Sequence, residues 1–177
     1  DLFLFGQLIH NLMDVVNQTG AWVPLYIMTS DKNNKDTVEF FEEHNYFGYD
    51  KDYVKFFIQS MVPSVDYNGK LYMESTDSLA MSPNGNGGWF LSLIAAGLDK
   101  DMQDKGVEYV NVFAVDNILQ RIADPAFIGA TILAGAECGS KVVRKCEPAE
   151  KVGVMCRVNG HPSIIEYYEM SEELASL

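Results

Sequence analysis

Two apolar runs limit what this chain can become. Val23–Ser30, VPLYIMTS, and Val54–Pro63, VKFFIQSMVP, are hydrophobic almost throughout and have the length of strands. Continuous rather than alternating apolar character fits strands buried on both faces, as in a parallel sheet. Between them, Asp31–Lys35 reads as a polar turn and Thr37–His44, with Val38, Phe40 and Phe41, as a helix. Parallel strands need such a crossover, because no tight turn can join them. Val107–Val115, VEYVNVFAV, reads as a third strand running into Asp116-Asn117. Strands alternating with helices predict an α/β fold with a mostly parallel, mixed sheet.

Local signals fill in the rest. Phe5–Thr19 places Leu8, Ile9, Leu12, Met13, Val15 and Val16 at helical spacing, and Gly20 can cap the end. Asn68-Gly69 predicts a hairpin between Val65–Tyr67 and Lys70–Met73, and Asn159-Gly160 another between Val152–Val158 and Ser163–Tyr168. A helix is expected over Trp89–Leu98, with Ser92 and Gly97 interrupting its apolar run, and a polar turn or helix from Asp99 to Lys105 ends at Gly106. Asp124-Pro125 is an N-cap with proline at the first helical position. Lys141–Lys145 reads as a short strand and Ser171–Leu177 as the start of a helix.

The chain has 177 residues and a formal charge of −12, enough length for one domain and the wrong sign for a nucleic-acid partner. No apolar run reaches the ~20 residues that would span a bilayer, so no membrane span is expected. Cys138, Cys146 and Cys156 are too few and too scattered for a disulfide framework, and free thiols suit a reducing cytoplasm. The chain begins Asp1-Leu2-Phe3 without an initiator methionine or a signal pattern, which reads as a piece of something longer.

In open α/β sheets ligands lie beyond the carboxyl ends of the strands, so polar residues there are candidates. Ser30 follows the first run, Gln59 interrupts the second, and Asp116 and Asn117 follow the third. Gln59 can donate and accept, and so can read the edge of a base or serve as a satisfied core amide. Asp116 suits either a hard cation or the N-cap of a helix over Ile118–Arg121. Glu166, in SIIEYYEM, suits sugar hydroxyls or a solvated strand face. The stretch Ser82–Phe90, SPNGNGGWF, clusters glycine and asparagine ahead of a helix, either as a binding loop or as a helix entry.

Taken in order, VPLYIMTS, FFEEHNYFG (40–48), FFIQSMVP (56–63), PNGNGG (83–88), VDNIL (115–119), ADPAFIG (123–129), GAECGSKVV (135–143), VGVMCRVNG (152–160) and IEYYE (165–169) resemble the central catalytic region of UDP-sugar pyrophosphorylases, most closely the UDP-N-acetylglucosamine type. The resemblance covers Val23 to Glu173. It implies a Rossmann-like nucleotidyltransferase domain of GT-A type, incomplete over 1–177, and transfer of a uridylyl group from UTP to a sugar 1-phosphate. It further implies that Gln59 and Gly85 contact uracil, that Asn86 lies near the ribose or sugar phosphate, that Asp116 binds Mg²⁺, and that the Gly153 backbone and the Glu166 carboxylate hold the sugar. UDP-glucose enzymes of the related type carry Gly-His-Gly where this chain has Gly85-Asn86-Gly87, which favours N-acetylglucosamine 1-phosphate over glucose 1-phosphate. The family's glycine-rich loop with its Thr-Arg pair and its downstream lysine have no counterpart here. The chain alone is therefore expected to be nearly inert, and a non-catalytic UDP-sugar-binding module is the competing expectation.

Overall fold

A computed structural model describes residues 3–175, which fall into two compact units, one ending at Gly135 and the other beginning at Ala136. The first unit is built on β1 (Leu25–Thr29) and β2 (Val54–Ile58), paired in parallel from Leu25↔Val54 to Thr29↔Ile58. The crossover contains α2 (Asn34–Glu43), which starts just before the expected helix. Side chains alternate across this pair as the pleat requires. Leu25, Ile27, Val54 and Phe56 face a core that includes Leu8, Ile9, Leu12 and Val15 of α1 (Leu4–Thr19) and Phe41 of α2. Tyr26, Met28 and Phe57 face a second core with Leu93 and Met102, from α3 (Trp89–Ala95) and α4 (Leu98–Asp104). The strands are thus sandwiched between helices, which is why they read as continuous apolar runs.

α1 ends where expected, with Gly20 at φ 71° and its N–H on the Val16 carbonyl. The exit from α2 is less ordinary. Asn45, Tyr46 and Phe47 all hold positive φ, near 50°, in a conformation that costs side-chain-bearing residues about 1–2 kcal/mol each. Aromatic packing holds it, since Phe47 meets fully buried Phe41 edge-on at 5.5 Å and stacks on His44 at 5.3 Å.

The second apolar run does not continue as one strand. β2 stops at Ile58, the backbone turns at Gln59-Ser60, and β3 (Met61–Pro63) pairs antiparallel with β4 (Met81–Pro83). Between β3 and β4 lies a small meander. The Asn68-Gly69 turn is present, with Asp66 Oδ1 accepting from the Asn68 and Lys70 N–H groups at 2.8 and 2.9 Å, but the pairing around it is only an isolated Val65↔Leu71 bridge.

Val107–Val115 corrects the sequence reading. It forms no strand, nor does any strand among the described residues run beside it, and Tyr109, Val110 and Val112 are 49%, 50% and 58% exposed. Apolar composition supplies the propensity, but a strand exists only through a partner's ladder. The expected mostly parallel sheet is accordingly, among the described residues, one parallel pair, and the antiparallel pairs are separate two-stranded sheets. The loop after this segment closes onto α1, where Asn11 donates to the Ile118 carbonyl at 3.2 Å and Ile122 is buried. α5 (Pro125–Leu133) follows, with Asp124 accepting from the Ala126 N–H as its N-cap.

In the second unit β5 (Val154–Val158) and β6 (His161–Ile165) form the expected hairpin, paired from Val158↔His161 out to Val154↔Ile165. Lys141–Lys145 forms no strand, and α6 spans Glu172–Ala175. The expected helix start continued through Leu177, whose last two residues lie outside those described. Among the described residues no helix is long and apolar enough to cross a membrane.

Tyr49 ties the entry of β1 to the segment before β2. It is 4% exposed, its hydroxyl donates to the Val23 carbonyl at 2.6 Å, and it accepts from the Val23 N–H at 3.3 Å. Burial pushes its pKa from 10.0 to about 12, against the pull of the Val23 backbone bond. Between those values the unfolded chain has lost a proton that the folded chain keeps, so stability falls as pH rises through this window. Tyr49→Phe is expected to be less stable by about 1–2 kcal/mol near pH 8 and to show a shallower alkaline decline. Urea unfolding of both proteins from pH 8 to pH 11.5 measures this, and parallel declines would contradict it.

Candidate functional site

β1 and β2 end side by side, and polar groups gather at their carboxyl edge. The Gln59 N–H donates to the Thr29 carbonyl at 2.8 Å, one last backbone bond after the strand proper. Its half-buried side chain leaves the sheet there and donates from Nε2 to the Gly85 carbonyl at 2.9 Å. Two residues expected to act together are therefore in direct contact. One N–H and the carbonyl oxygen of the Gln59 amide remain for a ligand. Ser30 has another role, because its N–H and hydroxyl both meet Asn33 Oδ1, at 2.7 and 2.9 Å, in the turn into α2.

Gly85 needs its lack of a side chain. Its φ of 74° and ψ of 164° lie in a region open essentially only to glycine. This conformation turns the chain into a single 3₁₀ turn, Asn86–Gly88, that leads directly into α3. The Gly88 N–H closes the turn on the Gly85 carbonyl at 3.1 Å, so this oxygen serves both the turn and Gln59. Asn84 returns to the strand end, its N–H donating to the Ser60 carbonyl at 3.0 Å. Asn86 is exposed at the start of the turn.

The sequence reading overlooked Ser92, counting it as an interruption of an apolar helix. It is 2% exposed and bonds both the Gly88 carbonyl and the Ser60 N–H, each at 3.0 Å. A hydroxyl one helical turn after a glycine-rich entry, on the face that buries Leu93, was the available signal.

Asp116 sits in a turn at the end of the Val107–Val115 segment and is exposed. No helix forms over Ile118–Arg121, so the N-cap alternative falls away. Among the described residues its carboxylate has no hydrogen-bond or ion-pair partner. Nor do they contain a group of three or more His, Cys, Asp or Glu side chains that could hold a metal ion unaided.

In the second unit, the register that pairs Val154 with Ile165 sets Gly153 opposite Glu166. A Cβ built on Gly153 would stand 3.1 Å from Ile164 Cγ2 and 3.3 Å from Glu166 Oε1, closer than the groups could comfortably accept. The carboxylate thus lies over bare backbone, and both groups can face one ligand. The Glu166 N–H is held by Glu169 Oε2 at 3.1 Å, which fixes the chain after β6.

The glycine turn is testable by itself. Gly85→Ala is expected to lose about 1–3 kcal/mol through backbone strain, because a Cβ there meets nothing within 4 Å. Gly87→Ala, also in open space but not at positive φ, should change stability by less than about 0.5 kcal/mol. Denaturant unfolding and amide exchange at Gly88 compare the two, and equal effects would refute the conformational argument.

Comparison with known proteins gives a consistent result. Residues 3–176 match the family model described as UTP–glucose-1-phosphate uridylyltransferase. The chain is 47% identical over 167 residues to UDP-N-acetylhexosamine pyrophosphorylase-like protein 1 of Mus musculus, covering 94% of this chain and 33% of the mouse protein. It is 41% identical over 165 residues to the UDP-N-acetylglucosamine pyrophosphorylase of Saccharomyces cerevisiae, covering 93% of this chain and 35% of the yeast protein. The Trypanosoma brucei uridine diphosphate N-acetylglucosamine pyrophosphorylase, solved in complex with an inhibitor, superposes with a TM-score of 0.82 at 33% identity, over 94% of this chain and 36% of that one. The chain spans about a third of the length of the curated relatives it matches.

Proposed function

Since the chain belongs to the UTP–glucose-1-phosphate uridylyltransferase family, we propose that the full-length protein makes UDP-N-acetylglucosamine and pyrophosphate from UTP and N-acetylglucosamine 1-phosphate. The observation that carries this reading is the Gln59–Gly85 contact at the carboxyl edge of the parallel strands. It is supported by relatives at 41–47% identity that are named as N-acetylglucosamine or N-acetylhexosamine pyrophosphorylases or as like them. In this reading the domain is a Rossmann-like nucleotidyltransferase of GT-A type, working in the cytoplasm.

Gln59 and the Gly85 backbone bind the uracil edge, and Asn86 lies beside the ribose or the sugar phosphate. Gly153 and Glu166 hold the sugar, the carboxylate accepting from its hydroxyls. A phosphate oxygen of the sugar 1-phosphate attacks the α-phosphorus of UTP, forming the new P–O bond as the bond to the β-phosphate breaks and pyrophosphate departs. No protein nucleophile is needed, so the residues act by alignment and by exclusion of wrong geometries.

Asp116 suits magnesium, because an exposed carboxylate without a protein partner supplies one hard oxygen and leaves the other positions to phosphates and water. When bound there, the ion would neutralise charge developing on the phosphates. A net charge of −12 makes such neutralisation necessary, and this chain has no glycine-rich Thr-Arg loop to share it.

Three outcomes are expected. The full-length protein should release pyrophosphate from UTP and N-acetylglucosamine 1-phosphate, while residues 1–177 alone should be nearly inert. Robust turnover by the isolated chain, or a clear preference of the full-length protein for glucose 1-phosphate, would overturn the assignment. Asp116→Ala should lower kcat about 100-fold or more with UTP binding largely kept. Gly153→Ala, which pushes on the Glu166 carboxylate, should raise KM for the sugar phosphate with little change in KM for UTP. Steady-state kinetics with each substrate varied in turn measures all of these.

A further inference from the structure

We propose that Ser92 is a positioning residue for uridine recognition. It acts by fixing the spacing between the end of β2, which carries Gln59, and the glycine turn that carries Gly85. The inference rests on the uridylyl-transfer reading given above.

Ser92 has one proton to give and two lone pairs to fill, and all are used. Its Oγ donates to the Gly88 carbonyl at 3.0 Å, accepts from the Ser60 N–H at 3.0 Å, and lies 3.1 Å from Ser60 Oγ. Ser60 directly follows Gln59 in the chain. Gly88 closes the turn that Gly85 opens, through its own N–H on the Gly85 carbonyl at 3.1 Å. Gln59 Nε2 meets that same carbonyl at 2.9 Å. The result is a closed ring, running from Gln59 to Ser60, across to Ser92, to Gly88, to Gly85 and back to Gln59.

A simpler account is that Ser92 bonds back to the carbonyl four residues earlier, as serines in helices often do. That explains the Gly88 bond and leaves the Ser60 bond unexplained. A buried hydroxyl is costly unless satisfied, and here its second partner lies 32 residues away, on the strand end rather than on the helix. The bond therefore joins two elements that no helix requirement would bring together. Removing the hydroxyl opens the ring at its base and leaves the turn tied to the strand end through Asn84 and the β3–β4 pairing alone. The turn can then shift against Gln59, while Leu93, fully buried beside Ser92, still anchors α3.

Selectivity is the measurable consequence. UTP and CTP differ at the base edge, where the remaining N–H and the carbonyl of the Gln59 amide, held in place by the Gly85 carbonyl, can tell donor from acceptor. The test compares kcat/KM for UTP and CTP, with N-acetylglucosamine 1-phosphate as acceptor, in the full-length protein and its Ser92→Ala variant. The ratio does not depend on how much of the protein is active, so loss of folded protein cannot imitate the effect. Ser92→Ala is expected to lower the UTP-to-CTP ratio about tenfold, with KM for the sugar phosphate changed by less than about twofold. Ser92→Cys, which keeps the volume and a weak donor, should lower the ratio less, and it serves as the test if the alanine variant does not fold. A ratio equal to that of the wild type in the folded variant overturns this proposal alone. A wild-type protein without preference for UTP overturns it together with the uridylyl-transfer reading.

Discussion

A parallel pair of strands cannot be closed by a tight turn, and from that restriction most of the first unit follows. Leu25–Thr29 and Val54–Ile58 need a crossover, and the crossover brings α2 over one face. A sheet covered on one face alone would leave Tyr26, Met28 and Phe57 in water, so α3 and α4 cover the other. With both faces closed, polar groups can gather only at the strand ends. There the chain must also leave the sheet, at Gln59-Ser60, and a residue that leaves a sheet there presents its side chain to the crevice.

What gathers there is organised by hydrogen bonds rather than by charge. Between Gln59 and Gly88 the sequence holds one basic residue, Lys70, at the tip of the meander. A glycine-rich turn ahead of a helix ordinarily suggests an anion cradle. Here the Gly85 carbonyl is turned toward the Gln59 amide, the Gly88 N–H is spent on closing the turn, and Ser82–Phe90 holds no cationic side chain for phosphate. The same turn is better suited to a neutral, planar group with donors and acceptors along its edge. In the proposed reading phosphate chemistry is then a separate task, given to Asp116.

Much of this was legible from sequence, and the exceptions share one cause. α1 with Gly20, the Asp124-Pro125 start of α5 and the Asn159-Gly160 hairpin depend on local chemistry, and each formed as read. Val107–Val115 depends on a neighbour that composition cannot supply, and it stays unpaired. The Gln59 break was visible only as one polar letter within an apolar run. Ser92 was invisible for the same reason, since its partner Ser60 is close in space and distant in sequence. Gly85 lies between these cases: its need for positive φ is local, but only the contact with Gln59 gives that φ a purpose. The Gly153–Glu166 juxtaposition could have been found, because the hairpin turn at Asn159-Gly160 fixes the register that sets them opposite one another.

The Gln59–Gly85 contact is also the neck of an arm. Residues 60–84 leave and return at that point, clamped by the Ser60, Ser92 and Asn84 bonds. Beyond the neck the meander holds itself together by its own turns, with Tyr67 and Tyr72 in solvent. Closure entropy rises only with the logarithm of loop length, so doubling the arm would cost roughly 0.6 kcal/mol. The geometry of the site is thereby insulated from the length and sequence of the arm. This is a place where the chain can acquire or shed residues, and with them new surface, without moving the atoms at the neck.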